Sequence, residues 1–292
     1  MSMASATDAN NRRGDEAGTD AAVAVLAPRT PTSEKILRIV IPIVTVLAVI
    51  VIWQWTVIAN HIPKYILPGP VDVAIAMGTD WPILLPALWV TLQITFSALI
   101  VALIGGVAIA VLLVQSRWIE LAVYPLTVIL QVTPIVAIAP LLLIYAPNTQ
   151  SALLICAFLV AFFPILSNMV AGLKSVDHNL LNLFDLYGAS RWQQLIYLKL
   201  PAAQPFFMAG LRIGGGLALI AAVVAEFAAG SSGAGSGLAF RLLEAQYRLN
   251  IPRLFAALLL LSLTGVAIFG ITSLISWLTL RRWHESAVRR EN

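Results

Sequence analysis

Long uncharged apolar runs alternate with short polar breaks along this chain, and the run lengths predict helices that cross a bilayer. Ile39 to Ile58 carries no charge. Twenty residues at 1.5 Å each span roughly 30 Å, one hydrocarbon core. Trp53 and Trp55 near its far end suit an interfacial aromatic belt. Residues 59–81 read as a loop broken by Pro63, Pro68, Gly69 and Pro70, with a short surface helix over Val71 to Met77. The second span covers about Pro86 to Val114, and Gln115 to Glu120 follows as a tight polar turn. From Leu121 to Leu173 there is again no charge, over a length too great for one span. The turn cluster Ala146-Pro147-Asn148-Thr149-Gln150 divides it into a third and a fourth. The fifth span runs from about Ala203 to Ala228 and the sixth from Leu254 to Leu280, with the polar, glycine-rich Gly230 to Arg253 between them. The expected fold is all-α: a polytopic membrane protein with about six transmembrane helices.

One polar stretch is too patterned to be a plain connection. Leu173 to Pro201 lies between two apolar blocks. Asp177 and Asn179 are N-cap residue types, placed just before Leu180, Leu183, Phe184 and Tyr187 at helical spacing. Gly188 interrupts that helix. Ser190 restarts it, and Ser190-x-x-Gln193 is a capping-box pattern. Trp192, Leu195 and Ile196 share a face of the second helix, and Pro201 marks its end. Two short helices joined at a glycine present an apolar ridge outside the membrane, and such ridges are normally covered.

Composition agrees with the spans. Of 292 residues, 60% are hydrophobic and 11% charged, against about 25% charged in soluble domains. The net charge of +4 reflects basic residues flanking spans, so nucleic acid is not an expected partner. One cysteine, Cys156, lies in an apolar run, and His61, His178 and His284 lie in separate segments. No metal set and no titratable cluster for a membrane-embedded enzyme is expected.

With the N-terminus inside, thirteen of the eighteen Lys and Arg residues fall in inner segments, against Lys64, Arg241, Arg248 and Arg253 in outer ones. The positive-inside rule therefore places both termini and the Leu173–Pro201 island in the cytoplasm. Residues 1–33 read as a disordered cytoplasmic tail, 34–283 as the transmembrane domain and 284–292 as a short cytoplasmic tail. The first apolar block comes too late and runs too long for a signal peptide.

Gly188, nine residues, then Leu198-Lys199-Leu200-Pro201 resembles the second half of the "EAA" loop of ABC importer permeases, which reads E-A-A, three residues, G, nine residues, I-x-L-P. The following PAAQPFFMAGLRIGGGLALIAAVVAEF resembles the nitrate, sulfonate and taurine branch, and QVTPIVAIAPLLLIYA also resembles permeases for riboflavin and pyrimidine precursors. The resemblance covers about Trp53 to Trp283. One departure stands out: Asn182, Leu183 and Phe184 occupy the E-A-A positions. The resemblance implies a bacterial inner-membrane permease subunit with no bound cofactor. It implies partners too: ABC ATPase subunits that bind the ATP, an external substrate-binding protein, and a second permease as homodimer or heterodimer. Asp185, Gly188, Ala189, Ser190, Arg191, Trp192, Leu200 and Pro201 are the expected ATPase-coupling residues. A separate ATPase is also what the residues require: none of Lys35, Lys64, Lys174 and Lys199 follows a glycine, so there is no Walker A loop and no enzyme is expected.

Several polar residues fall within spans. Gln131, Thr133 and Pro134 lie mid-span in the third helix, where Pro134 and Pro140 free backbone carbonyls. With Asn168 they are candidates for the substrate path, the alternative being helix–helix contact. Glu226, near the outer end of the fifth span, is either a gate or outer substrate contact, or a carboxylate that reaches outer water, Arg241 or Arg248. Arg212 is read as snorkelling to the inner interface. Gly105 and Gly106 are read as packing sites. The alternative function, a self-sufficient secondary carrier or channel, needs coupling-ion ligands inside the membrane, and Glu226 is the one candidate.

Overall fold

The computed structural model describes residues 32–230 and 235–281, with side chains from residue 40 onward. The expected tails at 1–33 and 284–292 lie outside the described residues, except for Thr32 and Ser33, which are helical. The chain divides into two compact units, residues 1–56 and 57–292. The first contributes most of helix α1 (Thr32–Ala59). From Val40 onward its apolar side chains are largely exposed, Val51 at 65% and Trp55 at 69%. Thr45 and Thr56 return their hydroxyls to the carbonyls of Ile41 and Ile52, which satisfies them within the helix.

The second unit is helical throughout its regular structure, among the described residues. Helix α2 (Pro70–Thr79) is the expected surface helix. Pro70 suits the first turn, where its missing N–H is not needed, and Asp72 accepts from the Gly69 N–H and pairs with Lys64. Helix α3 (Trp81–Gln115) crosses next. A single residue, Ser116, separates it from α4 (Arg117–Val132), so the expected six-residue turn is mostly the first turn of a helix.

The expected third span is not one helix. It is α4 followed by α5 (Ile135–Tyr145), bent by 99° at Thr133 and Pro134. The described residues therefore hold five long apolar helices, and a total of six crossings is reached only if this bent pair is taken as one. Helix α6 (Thr149–Lys174) begins where the turn cluster predicts, with the Asn148 side chain accepting from the Ser151 N–H at 2.8 Å.

The island is α7 (His178–Leu186) and α8 (Arg191–Gln194). Pro201 does not end α8. A π-helical turn, Leu195–Lys199, carries the chain into α9 (Leu200–Ala229), and one helix runs unbroken from Arg191 to Ala229. The wider turn, closed by Leu200 N–H to the Leu195 carbonyl, comes just before the residue that lacks its N–H, and so accommodates it. The polar stretch after α9 holds an unexpected helix, α10 (Leu238–Tyr247), before α11 (Ile251–Leu280) crosses.

The core is the α3–α6–α9 contact, centred on Leu99, Ala102, Ile165, Leu166, Met169 and Ala203. Small residues set its distance. A Cβ on Gly210 or Gly214 would meet Pro164, Ile165 or Ala161 at 3.0–3.2 Å. Gly210-x-x-x-Gly214 thus acts as a small-residue seam. Gly106 also packs tightly, against Ile165, whereas Gly105 has only ordinary contacts.

Candidate functional site

The island keeps its shape by local bonds. Asp177 accepts from the Asn179 N–H at 2.8 Å, the cap expected of it. Ser190 Oγ accepts from the Gln193 N–H at 3.3 Å, and Gln193 Oε1 accepts from the Ser190 N–H at 2.7 Å, completing the capping box. Gly188 turns the chain at φ +68°, a conformation costly to other residues. Asp185 accepts from the Gln194 side chain at 2.6 Å, tying α7 to α8 across that turn. Its sequence spacing of nine gave no hint of this bond.

Held this way, α7 and α8 expose apolar side chains. Leu186 and Tyr187 are more than four-fifths exposed, and Leu180, Leu183, Trp192, Ile196 and Tyr197 are exposed as well. Of the face expected to include Trp192, Leu195 and Ile196, only Leu195 is buried. An open groove of about 470 Å³ runs between Leu183, Phe184, Tyr187, Gly188, Ala189, Gln193 and Tyr197. Gly188 and Ala189 line it, Asp185 and Ser190 brace it, and Arg191 is exposed beside it. Leu200 and Pro201 lie apart, lining a second cavity with Ile196, Gln204 and Thr279.

The candidates for a solute path separate as well. Gln131 and Thr133 share a cavity of about 160 Å³ at the α4–α5 break with Phe163, Pro164 and Leu217. Pro134 cannot donate to α4 and instead begins α5, its carbonyl accepting from Ala137 and Ile138. Asn168 is not in that cavity. Its side chain donates to the Pro164 carbonyl at 2.8 Å.

Glu226 does not reach outward to solvent or to the two arginines read as its alternative partners. It is 2% exposed and makes no bond to Arg241 or Arg248, which pair with Glu244. Its Oε1 accepts from Thr91 Oγ1 at 2.8 Å and its Oε2 from the Ala239 N–H at 2.9 Å. Thr91 Oγ1 in turn accepts from the Leu238 N–H at 2.8 Å. The N-cap position of α10 is Gly237, which has no side chain to cap with. Glu226 from α9 and Thr91 from α3 supply the missing acceptors. A Cβ on Gly237 would overlap the carboxylate, so only glycine lets it approach. Thr91 and Glu226 are 135 residues apart, and no local pattern announces the pair. Asp80 and Arg253 add a second fastening at this end of the bundle, with two bonds of 2.7 Å between the α2–α3 junction and α11.

A bundle of apolar spans with a braced, exposed two-helix island and a broken helix defines a polytopic membrane protein. Residues 102–281 match the family described as the binding-protein-dependent transport system inner membrane component. The chain is 34% identical to the riboflavin transport system permease protein RibX of Chloroflexus aurantiacus, over 83% of this chain and 90% of that one. It is 31% identical to the formylaminopyrimidine transport permease protein ThiX of Halalkalibacterium halodurans, over 78% and 90%. A solved structure titled as an amino acid ABC transporter with histidines shares the fold at TM-score 0.58 and 18% identity, covering 71% of this chain and 97% of that one. The chain belongs to this family: it is an inner-membrane permease subunit of an ABC importer.

Proposed function

We propose that the α7–α8 groove is the seat of a separate ABC ATPase subunit, and that Asp185, Gly188, Ala189, Ser190, Arg191 and Trp192 form the contact. One observation carries this: a ridge of exposed apolar side chains is held rigid by its own caps, which is the form a docked surface takes before its partner arrives. Leu200 and Pro201, on the continuous helix from Arg191 to Ala229, pass the motion of the docked subunit into α9 as a rigid body. ATP binds to the partner, and this subunit holds no cofactor and performs no hydrolysis. Both termini are cytoplasmic, the bacterial inner membrane is the location, and 1–33 and 284–292 are tails flanking the transmembrane domain. An external binding protein delivers the solute to a pair of permeases, homodimeric or heterodimeric.

The solute belongs to the range that the sequence resemblance implies, a nitrate-, sulfonate- or taurine-like anion or a riboflavin- or pyrimidine-type nutrient, and the names of the two relatives above support the second part of it. Gln131, Thr133 and Pro134 at the broken span are its path, because backbone groups freed at membrane depth need a lined cavity and one is present there. Asn168, bonded to the Pro164 that lines this cavity, is a further path residue, and Glu226 between α9 and α10 is the gate position. The alternative, a self-sufficient carrier, loses its coupling-ion ligand, since both Glu226 oxygens are taken by α10 and Thr91.

Co-purification with candidate ATPase subunits in detergent tests the docking. Gly188→Asp and Trp192→Glu are expected to abolish the complex and its ATP hydrolysis while the permease still folds. Solute movement in liposomes without ATP, unaffected by either change, would overturn the proposal in favour of the carrier.

A further inference from the structure

Arg212 is the cation deep within a span that no acid answers. Asp72 holds Lys64, Asp80 holds Arg253, Glu120 holds Lys174, and Glu244 holds Arg241 and Arg248. None of the ion pairs among the described residues includes Arg212, and its Nε is buried without a hydrogen-bond partner.

The helix register shows where the side chain goes. A Cβ on Gly215 would lie 3.2 Å from Ile268 and 3.4 Å from Thr272, and one on Gly265 would lie 3.5 Å from Leu219. Those contacts set α9 antiparallel to α11, with Arg212 opposite about Ser273. The guanidinium carbon lies 5.8 Å from the Phe269 ring centre, one turn further from the cytoplasmic end. The guanidinium thus lies against Phe269, in the seam between α9 and α11. Arg212 stands roughly 18 Å along α9 from Leu200 and roughly 25 Å from Ala229. A lipid phosphate at either interface is roughly 15 Å from mid-depth, so the headgroups do not neutralise it.

The surroundings are those of a ligand contact. Ser273 Oγ is also buried and without a partner. Phe269 is 57% exposed, and nothing lies within 4 Å of where a Cβ would stand on Gly216 or Gly270. At the inner end of the same seam a cavity of about 320 Å³ opens beside Gln204 and Thr279, two turns below Arg212. The Phe269 ring steadies the guanidinium and leaves its planar N–H edge for an oxyanion.

We propose that Arg212, with Ser273 beside it, is an anion-contact site on the translocation path, taking a carboxylate, sulfonate or phosphate group of the solute. It rests on the permease reading above and adds a path position that the α4–α5 break does not supply.

Charged thiol reagents test it in the assembled transporter with its ATPase subunits, in nanodiscs. Cys156, the one native cysteine, is changed to Ser and Ser273→Cys is introduced. Phe269→Cys serves if that variant does not assemble. Modification rates are compared for sulfonatoethyl and trimethylammonioethyl methanethiosulfonate, with and without ATP. Arg212→Gln is expected to lower the anionic-to-cationic rate ratio about tenfold, the effect of one charge a few ångströms away in a partly screened site. Arg212→Lys retains the ratio. A ratio indifferent to Arg212→Gln sinks the anion contact. If neither reagent reaches the thiol while ATP hydrolysis is intact, the seam is not on the path, and the permease reading survives without this site.

Discussion

Two short helices outside the main spans, α7 and α10, are built on opposite plans. Helix α7 is capped by Asp177, its own N-cap residue, and braced by Ser190, Gln193 and Asp185 within the same island. Helix α10 begins at a glycine and draws its cap from Glu226 on α9 and Thr91 on α3. The first exposes its apolar side chains, with no buried residue along α7. The second buries Leu238, Ala239 and Ala245. A self-capped unit keeps its shape while it moves with a partner, whereas a helix capped by two spans is fixed to both. The contrast fits one surface that transmits motion and one element whose position depends on how α3 and α9 stand to each other.

The strongest break in that contrast is Glu226→Ala. It leaves the Ala239 N–H without its acceptor in a buried site and turns the Thr91 hydroxyl back to the Ala87 carbonyl, at a cost of about 3 kcal/mol, the upper end for one orphaned buried group. The thermal midpoint of the purified protein should drop, and protease sensitivity should appear between α9 and α11. Glu226→Gln, which keeps a carbonyl acceptor, should recover part of the loss. Thr91→Val removes one donor and one acceptor of the same cluster and should cost about 2 kcal/mol by the same melt. If Thr91→Val is silent, α10 is not held in the way its bonds imply.

Ser190→Ala sharpens the other side. Loss of an N-cap costs about 1 kcal/mol, and here the effect should stay local. Amide exchange at Arg191 to Gln194 should quicken while the global melting point barely moves. Spread of that exchange into α9 would instead mean that the island is not self-contained.

The smallest effect concerns pH. Hydrogen bonding from Arg241, followed by the charges of Arg241, Arg248 and Arg253, holds the Glu244 carboxyl below its ordinary value. A depressed carboxylate contributes stability above its unfolded value that is lost as pH falls through the folded one. Acidification below the ordinary carboxylate range should therefore loosen the C-terminal turn of α10, and Glu244→Gln should remove that acid-dependent component. The N-terminal cap of α10 should be unaffected by that substitution.

Much of this molecule was legible without coordinates because its causes are local. Span lengths follow from uncharged runs, since hydrocarbon admits few charges. The Asp177 cap, the Ser190–Gln193 box and the Gly188 turn each depend on residues a few positions apart. Proline was a poorer guide. Pro42, Pro125, Pro140, Pro164 and Pro205 all sit inside helices, and Pro201 is passed by a π-helical turn. Among the described spans, the sharp break comes at Thr133-Pro134, through 99°. A proline removes one hydrogen bond wherever it stands, but whether the helix bends depends on what packs around the freed carbonyl.

The sequence by itself determined what short-range chemistry controls: an all-helical membrane protein, the places of its spans, and a capped island matching the importer permeases. Tertiary structure decided the rest. The partners of Glu226 lie across three elements, the α4–α5 bend depends on neighbouring helices, and the approach of Arg212 to Phe269 follows from the α9–α11 register. Each joins residues brought together only by packing, and in a bilayer interior one buried charge is placed by whichever neighbours packing supplies, at a scale no sequence period records.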